Sequence, residues 1–159
     1  MKRTRALLGI DTGLGLIAGG APAQAAPPEP FTFTLDVPVG FEFGSCDFPV
    51  RIVATGKTKS IQTPTGRTIG VGANTTGTVT RTDAVPKSVE YKINGSFHQT
   101  TDADGNVTTK ATGRNLLTDP EAGVVVTSGN FTFTFNAEGE LVEGLSGTGR
   151  IIDVCAELA

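Results

Sequence analysis

The sequence predicts an all-β fold, a single antiparallel β-barrel-like meander of about eight strands, and three observations predict it. Thr occurs 24 times and Gly 21 times in 159 residues, against one Met and no Trp. Thr, Val, Ile and Phe suit a pleated, half-buried surface, while Gly and Pro punctuate short strands with turns. Phe31-Thr32-Phe33-Thr34-Leu35-Asp36-Val37 then alternates apolar and polar without a break, the period-two pattern of a half-buried strand. Third, no stretch holds a helical period over a useful length, and hairpin signals recur along the second half of the chain. A two-sheet β-sandwich with crossing connections is the alternative that periodicity leaves open.

The N-terminus reads as a signal peptide over residues 1–25. Lys2, Arg3 and Arg5 precede an apolar stretch at 6–17, and Ala23-Gln24-Ala25 places small residues at −3 and −1 of a cleavage site. Asp11 inside that stretch, with Gly13, Gly15, Gly19 and Gly20 in and just after it, weakens membrane insertion. Residues 26–30 (Ala-Pro-Pro-Glu-Pro) form an extended leader with nothing to pair, and 31–159 a single all-β domain, large enough for a real core. Loss of 1–25 leaves 10 basic and 15 acidic side chains, a net charge near −5. That balance disfavours a phosphate backbone as partner, so no nucleic acid is expected. No later segment approaches the ~18 continuous apolar residues of a spanning helix, so no membrane span is expected.

The elements follow in order. After the strand at 31–37, Pro38 and Gly40 end the run and 48–55 resumes it with Phe48, Val50 and Ile52. Residues 56–66 are a polar loop or irregular edge centred on Thr63-Pro64-Thr65-Gly66. Two short strands are expected at 68–73 and 76–82. Residues 88–101 read as one long strand with Val89, Tyr91, Ile93 and Phe97 in phase, and Gly95 marks a bulge or close approach. Asp102-Ala103-Asp104-Gly105-Asn106 turns the chain back into 107–113. Pro120 presets the turn at 118–121. Residues 124–135 form one strand interrupted at Gly129, and 141–154 close the sheet, with Gly144, Gly147 and Gly149 permitting strong curvature. Phe31, Phe33, Leu35, Phe131, Phe133 and Phe135 should be buried, and Thr32, Thr34, Thr132 and Thr134 more exposed.

Two cysteines, Cys46 and Cys155, allow one intramolecular pairing. Two thiols this far apart with one distant His do not make a tetrahedral metal site, and export favours oxidation. A Cys46–Cys155 disulfide is therefore expected, drawing the last strand beside the start of the sheet as a barrel requires.

Taken in order, the exported start, Phe31-Thr32-Phe33-Thr34-Leu35-Asp36-Val37-Pro38, Cys46-Asp47-Phe48, Gly113-Arg114-Asn115-Leu116-Leu117 and Gly149-Arg150-Ile151-Ile152-Asp153-Val154-Cys155-Ala156 resemble a family of small secreted proteins common in actinobacteria. The resemblance spans most of the mature chain and implies a one-domain exported β protein. It implies no activity.

Chemistry-bearing residues are few. His98 is the only histidine; its neighbours supply neither nucleophile nor carboxylate, no Gly-x-Ser-x-Gly elbow exists, and strand parity turns it toward solvent. Asp102 to Asn106 begins like a calcium loop, but glycine comes one place early and Gly113 stands where a bidentate Glu belongs. Asp119 with Glu121, and Glu138 with Glu140, are carboxylate pairs close in sequence, but each is expected in a solvated turn, where nothing desolvates one member for general-acid work. Thr ladders at 32/34, 76/78/80 and 132/134 lack the fixed repeat that an ice- or polysaccharide-binding array needs. Sequons begin at Asn74, Asn94, Asn106 and Asn130. No catalytic residue, cofactor or metal site is expected. The reading is a secreted, non-catalytic extracellular module for a ligand or protein, with an apolar interior lined by Phe31, Phe33, Val89, Tyr91, Phe131 and Phe133. A secreted hydrolase with an unrecognised site is the alternative.

Overall fold

Period-two alternation becomes strand pairing throughout. In the computed structural model, which describes residues 26–159, eight strands form one antiparallel sheet. They are β1 (Glu29–Val37), β2 (Val50–Gln62), β3 (Thr68–Arg81), β4 (Ser88–Lys92), β5 (Ser96–Thr101), β6 (Val107–Asp119), β7 (Gly123–Phe135) and β8 (Leu141–Asp153), followed by a one-turn helix α1 (Val154–Leu158). The meander of eight strands is as expected. The expected signal peptide at 1–25 lies outside the described residues.

Several boundaries differ from expectation, each for a local reason. β2 does not stop at Thr55: it slips register once, between Thr55 and Lys57, and continues to Gln62. Its extra length gives Glu29 and Pro30 partners in Thr58 and Lys57, so the supposed leader is partly strand. The two short strands at 68–82 are one strand, β3, because Asn74 takes a positive φ of 50° in its middle rather than breaking it. The strand expected at 88–101 is divided into β4 and β5 by Ile93-Asn94-Gly95. The detour keeps its ladder: Ile93 N donates to Thr75 O at 2.9 Å and Gly72 N to Gly95 O at 3.2 Å.

Curvature comes from a row of glycines. Gly113 on β6 pairs Gly129 on β7, and Gly129 pairs Gly149 on β8. Gly95 lies alongside, its Cα 3.3 Å from where a Cβ on Gly113 would sit. Gly113, Gly129 and Gly149 all have positive φ, and a Cβ on Gly129 would come within 2.3 Å of Thr148 O. Only glycine meets both demands. β6 pairs β5 as far as Thr112; beyond it, β6 pairs β7 alone and β4 pairs β3 alone.

Above that row the two halves of the sheet face each other. Val37, Val50, Ile52, Val79 and Tyr91 from β1–β4 share one buried core with Val124 and Val126 of β7 and with Val154 and Leu158 of α1. β1 and β8 end the strand order, β4 pairs β3 alone, and the sheet is not closed into a barrel. Closure by hydrogen bonds was the expected role of the disulfide. Cys46 and Cys155 are bonded, S–S 2.03 Å with Cα atoms 5.3 Å apart. The bridge, however, joins the segment before β2 to α1, so it ties down the helix rather than zipping β8 to β1.

Candidate functional site

Between the facing halves lies an apolar trough. Phe33 and Leu35 of β1 and Ile52 and Ala54 of β2 form one wall, and Phe133 and Phe135 of β7 with Leu141 and Leu145 form the other. The cavity they enclose is about 380 Å³, within the range of small-molecule pockets. Phe41 and Phe43 cap it from the loop after β1. Their rings stack edge-on, Phe41 to Phe43 at 5.6 Å, Phe43 to Phe135 at 5.7 Å and Phe135 to Phe133 at 5.9 Å. Edge-to-face contact is the favoured aromatic geometry. Phe33 remains 50% exposed in the mouth, an unusual place for a large apolar side chain unless something covers it.

A second cavity of about 280 Å³ adjoins the first, sharing Phe33, Ala54, Ile93 and Leu116 as walls. Phe31 and Phe97 extend its aromatic lining, and Thr58, Thr75 and Asn115 are its polar side chains. Asn115 is buried because its side chain lies flat on Gly95, where any Cβ would collide with it at 2.1 Å. Gly95 thus marks both the bulge and the close approach.

Of the six expected lining residues, Phe33 and Phe133 line the trough and Phe31 lines the adjoining cavity. Val89 and Tyr91 belong to the packed core instead. Phe131, 3% exposed, lies with an edge against Gly149 and borders neither cavity. Face assignment also needs correction: Phe33 is half exposed, and Thr134 is buried at 5%. Two register shifts opposite Thr134 let Glu143 fold over it, and its hydroxyl bonds Glu143 Oε2 at 2.8 Å and Thr108 Oγ1 at 3.1 Å.

The polar candidates hydrogen-bond to their own neighbours. His98, half-buried, touches Ser96 Oγ through Nε2 at 3.2 Å, and Ser96 Oγ lies 2.7 Å from Thr112 Oγ1. No carboxylate hydrogen-bonds the ring among the described residues. Asp102 accepts from the backbone N–H groups of Asp104 and Asn106 and from Asn106 Nδ2. The Asn106 side chain, foremost among these, holds the Asp102 carboxyl below its ordinary range. Asp119 is not the solvated turn residue expected. It is 7% exposed and forms part of the trough, where its two oxygens accept from Glu121 N, Ala122 N and Leu145 N. Among the described residues no group of three or more His, Cys, Asp or Glu is placed to hold a metal, and no helix is long and apolar enough to cross a membrane.

Sequence reasoning missed Phe41, Phe43, Leu141 and Leu145 as lining residues. Phe41-Glu42-Phe43 repeats the Phe-x-Phe spacing of 31/33 and 131/133/135, a signal that was present in the chain. Comparison with protein-family models, curated proteins and solved structures finds no match.

Proposed function

We propose that this protein is an exported, non-catalytic β module that holds a small apolar ligand in the Phe-lined trough. The observation that carries the reading is the cavity of about 380 Å³ with Phe33 half exposed in its mouth. Burial of apolar ligand surface against such walls is favourable by about 25 cal/mol per Å². Export is supported by the basic, apolar and small-residue sequence of 1–25 and by a disulfide between residues 109 positions apart, which suits an oxidising compartment. The surroundings of His98, hydroxyls without a carboxylate, speak against a hydrolytic relay.

Nile red fluorescence tests this reading. Wild-type protein should bind the dye saturably with a blue-shifted emission. Phe33→Asp sets a charge in the wall and should weaken binding by at least about tenfold. Because Phe33 is already half exposed, circular dichroism of that variant should match wild type. Failure of the wild-type protein to bind Nile red sinks the proposal.

A further inference from the structure

We infer that the ligand is a single unbranched alkyl chain that threads both cavities and leaves its polar head in water. This deepens the apolar-ligand reading and rests on it. The two cavities, of about 380 and 280 Å³, meet at the four side chains they share, Phe33, Ala54, Ile93 and Leu116. Uncovered apolar surface runs on from one to the other. Phe33, half exposed, borders both, and Val71, 37% exposed, borders the second.

The divide between them is narrow, and strand register makes it so. Phe33 of β1 pairs Ala54 of β2, and Ala54 pairs Gly77 of β3. Directly opposed residues share a face, so the three form one row across the sheet. Ile93 and Leu116 fill the space over Gly77, where a Cβ would lie 3.0 Å from Ile93 Cδ1 and 3.0 Å from Leu116 Cδ2. The Phe33 ring stands at the other end of the row. Between them projects only the methyl group of Ala54, and that gap is the way from one cavity to the other. A rigid ring system stays on one side of such a divide. A chain of methylenes bends through it and buries apolar surface in both cavities, which is favourable in proportion to the area covered.

No charge follows the chain inside. No Lys, Arg, Asp, Glu or His lines the second cavity. In the first, the only ionisable side chain is Asp119, whose carboxylate is engaged by three backbone N–H groups. An ionic head drawn in would lose its hydration with no counter-charge.

Gly70 supplies the test. It lines the second cavity but not the first, pairs Phe97 on the same wall, and a Cβ built on it meets no atom within 4 Å. Gly70→Leu therefore plugs the second cavity without displacing a neighbour. Thr58→Phe, from an exposed position that also lines only the second cavity, is an independent plug. Calorimetric titration with straight-chain alkanoates, octanoate to octadecanoate, is run on the three proteins below micelle-forming concentrations. The common carboxylate head cancels from the increments along the series. In wild type each added methylene should tighten binding by up to about fourfold until both cavities are filled. Both plugged variants should bind octanoate within about twofold of wild type, level off at chains several carbons shorter, and hold octadecanoate at least about tenfold more weakly. Levelling-off at the same chain length in all three proteins overturns the threaded chain. So does a wild type that binds Nile red but no alkanoate, an outcome that leaves the apolar-ligand reading standing. If wild type takes up neither, that reading fails and this inference with it.

Discussion

Phe131 and Phe133 stand two residues apart on β7 and share a strand parity, yet they meet different surroundings. Phe131 is packed against the glycine row, whereas Phe133 contributes one side of an open trough. Phe131→Ala should therefore cost about 3–5 kcal/mol, the usual loss for a fully buried ring. Phe133→Ala removes a ring that solvent already reaches and should cost about half as much. Thr134→Ala removes two part-buried hydroxyl hydrogen bonds, to Glu143 and Thr108, and should cost about 0.5–1.5 kcal/mol. Urea unfolding of the three variants checks the order; equal losses for both phenylalanines would place them in one environment. The alternation at 131–135 was legible in the chain, but it gave faces, not burial. Which face is covered depends on the β7–β8 register shifts, which the alternation within β7 does not encode.

Helix α1 shows how an element too short to leave a periodic signal still organises its neighbours. It spans five residues, begins at Asp153, whose Oδ1 accepts from Ala156 N at 3.0 Å, and packs on β7, β4 and β3. The capping aspartate was the one readable cue. Elsewhere, strand existence was legible and strand limits were not: a register slip at Gly56 and a left-handed Asn74 each preserved a strand where composition suggested a break. α1 is tied to β4 by a hydrogen bond from Tyr91 Oη to Glu157 Oε2. Burial, then that bond to Glu157, raises the Tyr91 phenol above its ordinary value of 10.0. The folded state thus holds this proton more tightly than the unfolded chain. Its contribution is complete below pH 10 and is lost as pH climbs from there through the folded value. Tyr91 is the only tyrosine, so Tyr91→Phe should flatten the fall in melting temperature above about pH 10 while lowering stability by about 1 kcal/mol at pH 8. Parallel curves for the two proteins would disprove the assignment.

At the scale of the whole molecule, the two halves of the sheet are held face to face by side chains and one covalent bond. Nothing pairs β1 with β8, so the core and trough depend on whatever keeps α1 and the segment before β2 together. The Cys46–Cys155 bridge does this across 109 positions. A loop of that size removes about 4.7 kcal/mol of chain entropy from the unfolded state in the simple model, a large share of the 5–15 kcal/mol of a typical domain. The pairing was legible because two cysteines admit one partner each; its geometric role was not, because the glycine row that bends the sheet becomes visible only when four distant glycines fall into register. Reduction, or Cys46→Ser with Cys155→Ser, should lower the melting temperature by about 10–20 °C. Gly123 and Ser45 lie against the bridge, and Val124 N contacts Cys155 Sγ at 3.5 Å, so loosening should begin at the α1 end of the trough. Hydrogen exchange on the reduced protein should accordingly speed up first in α1 and the start of β7, with β2 and β3 protected longest. A melting temperature unmoved by reduction would show that packing alone holds the halves together.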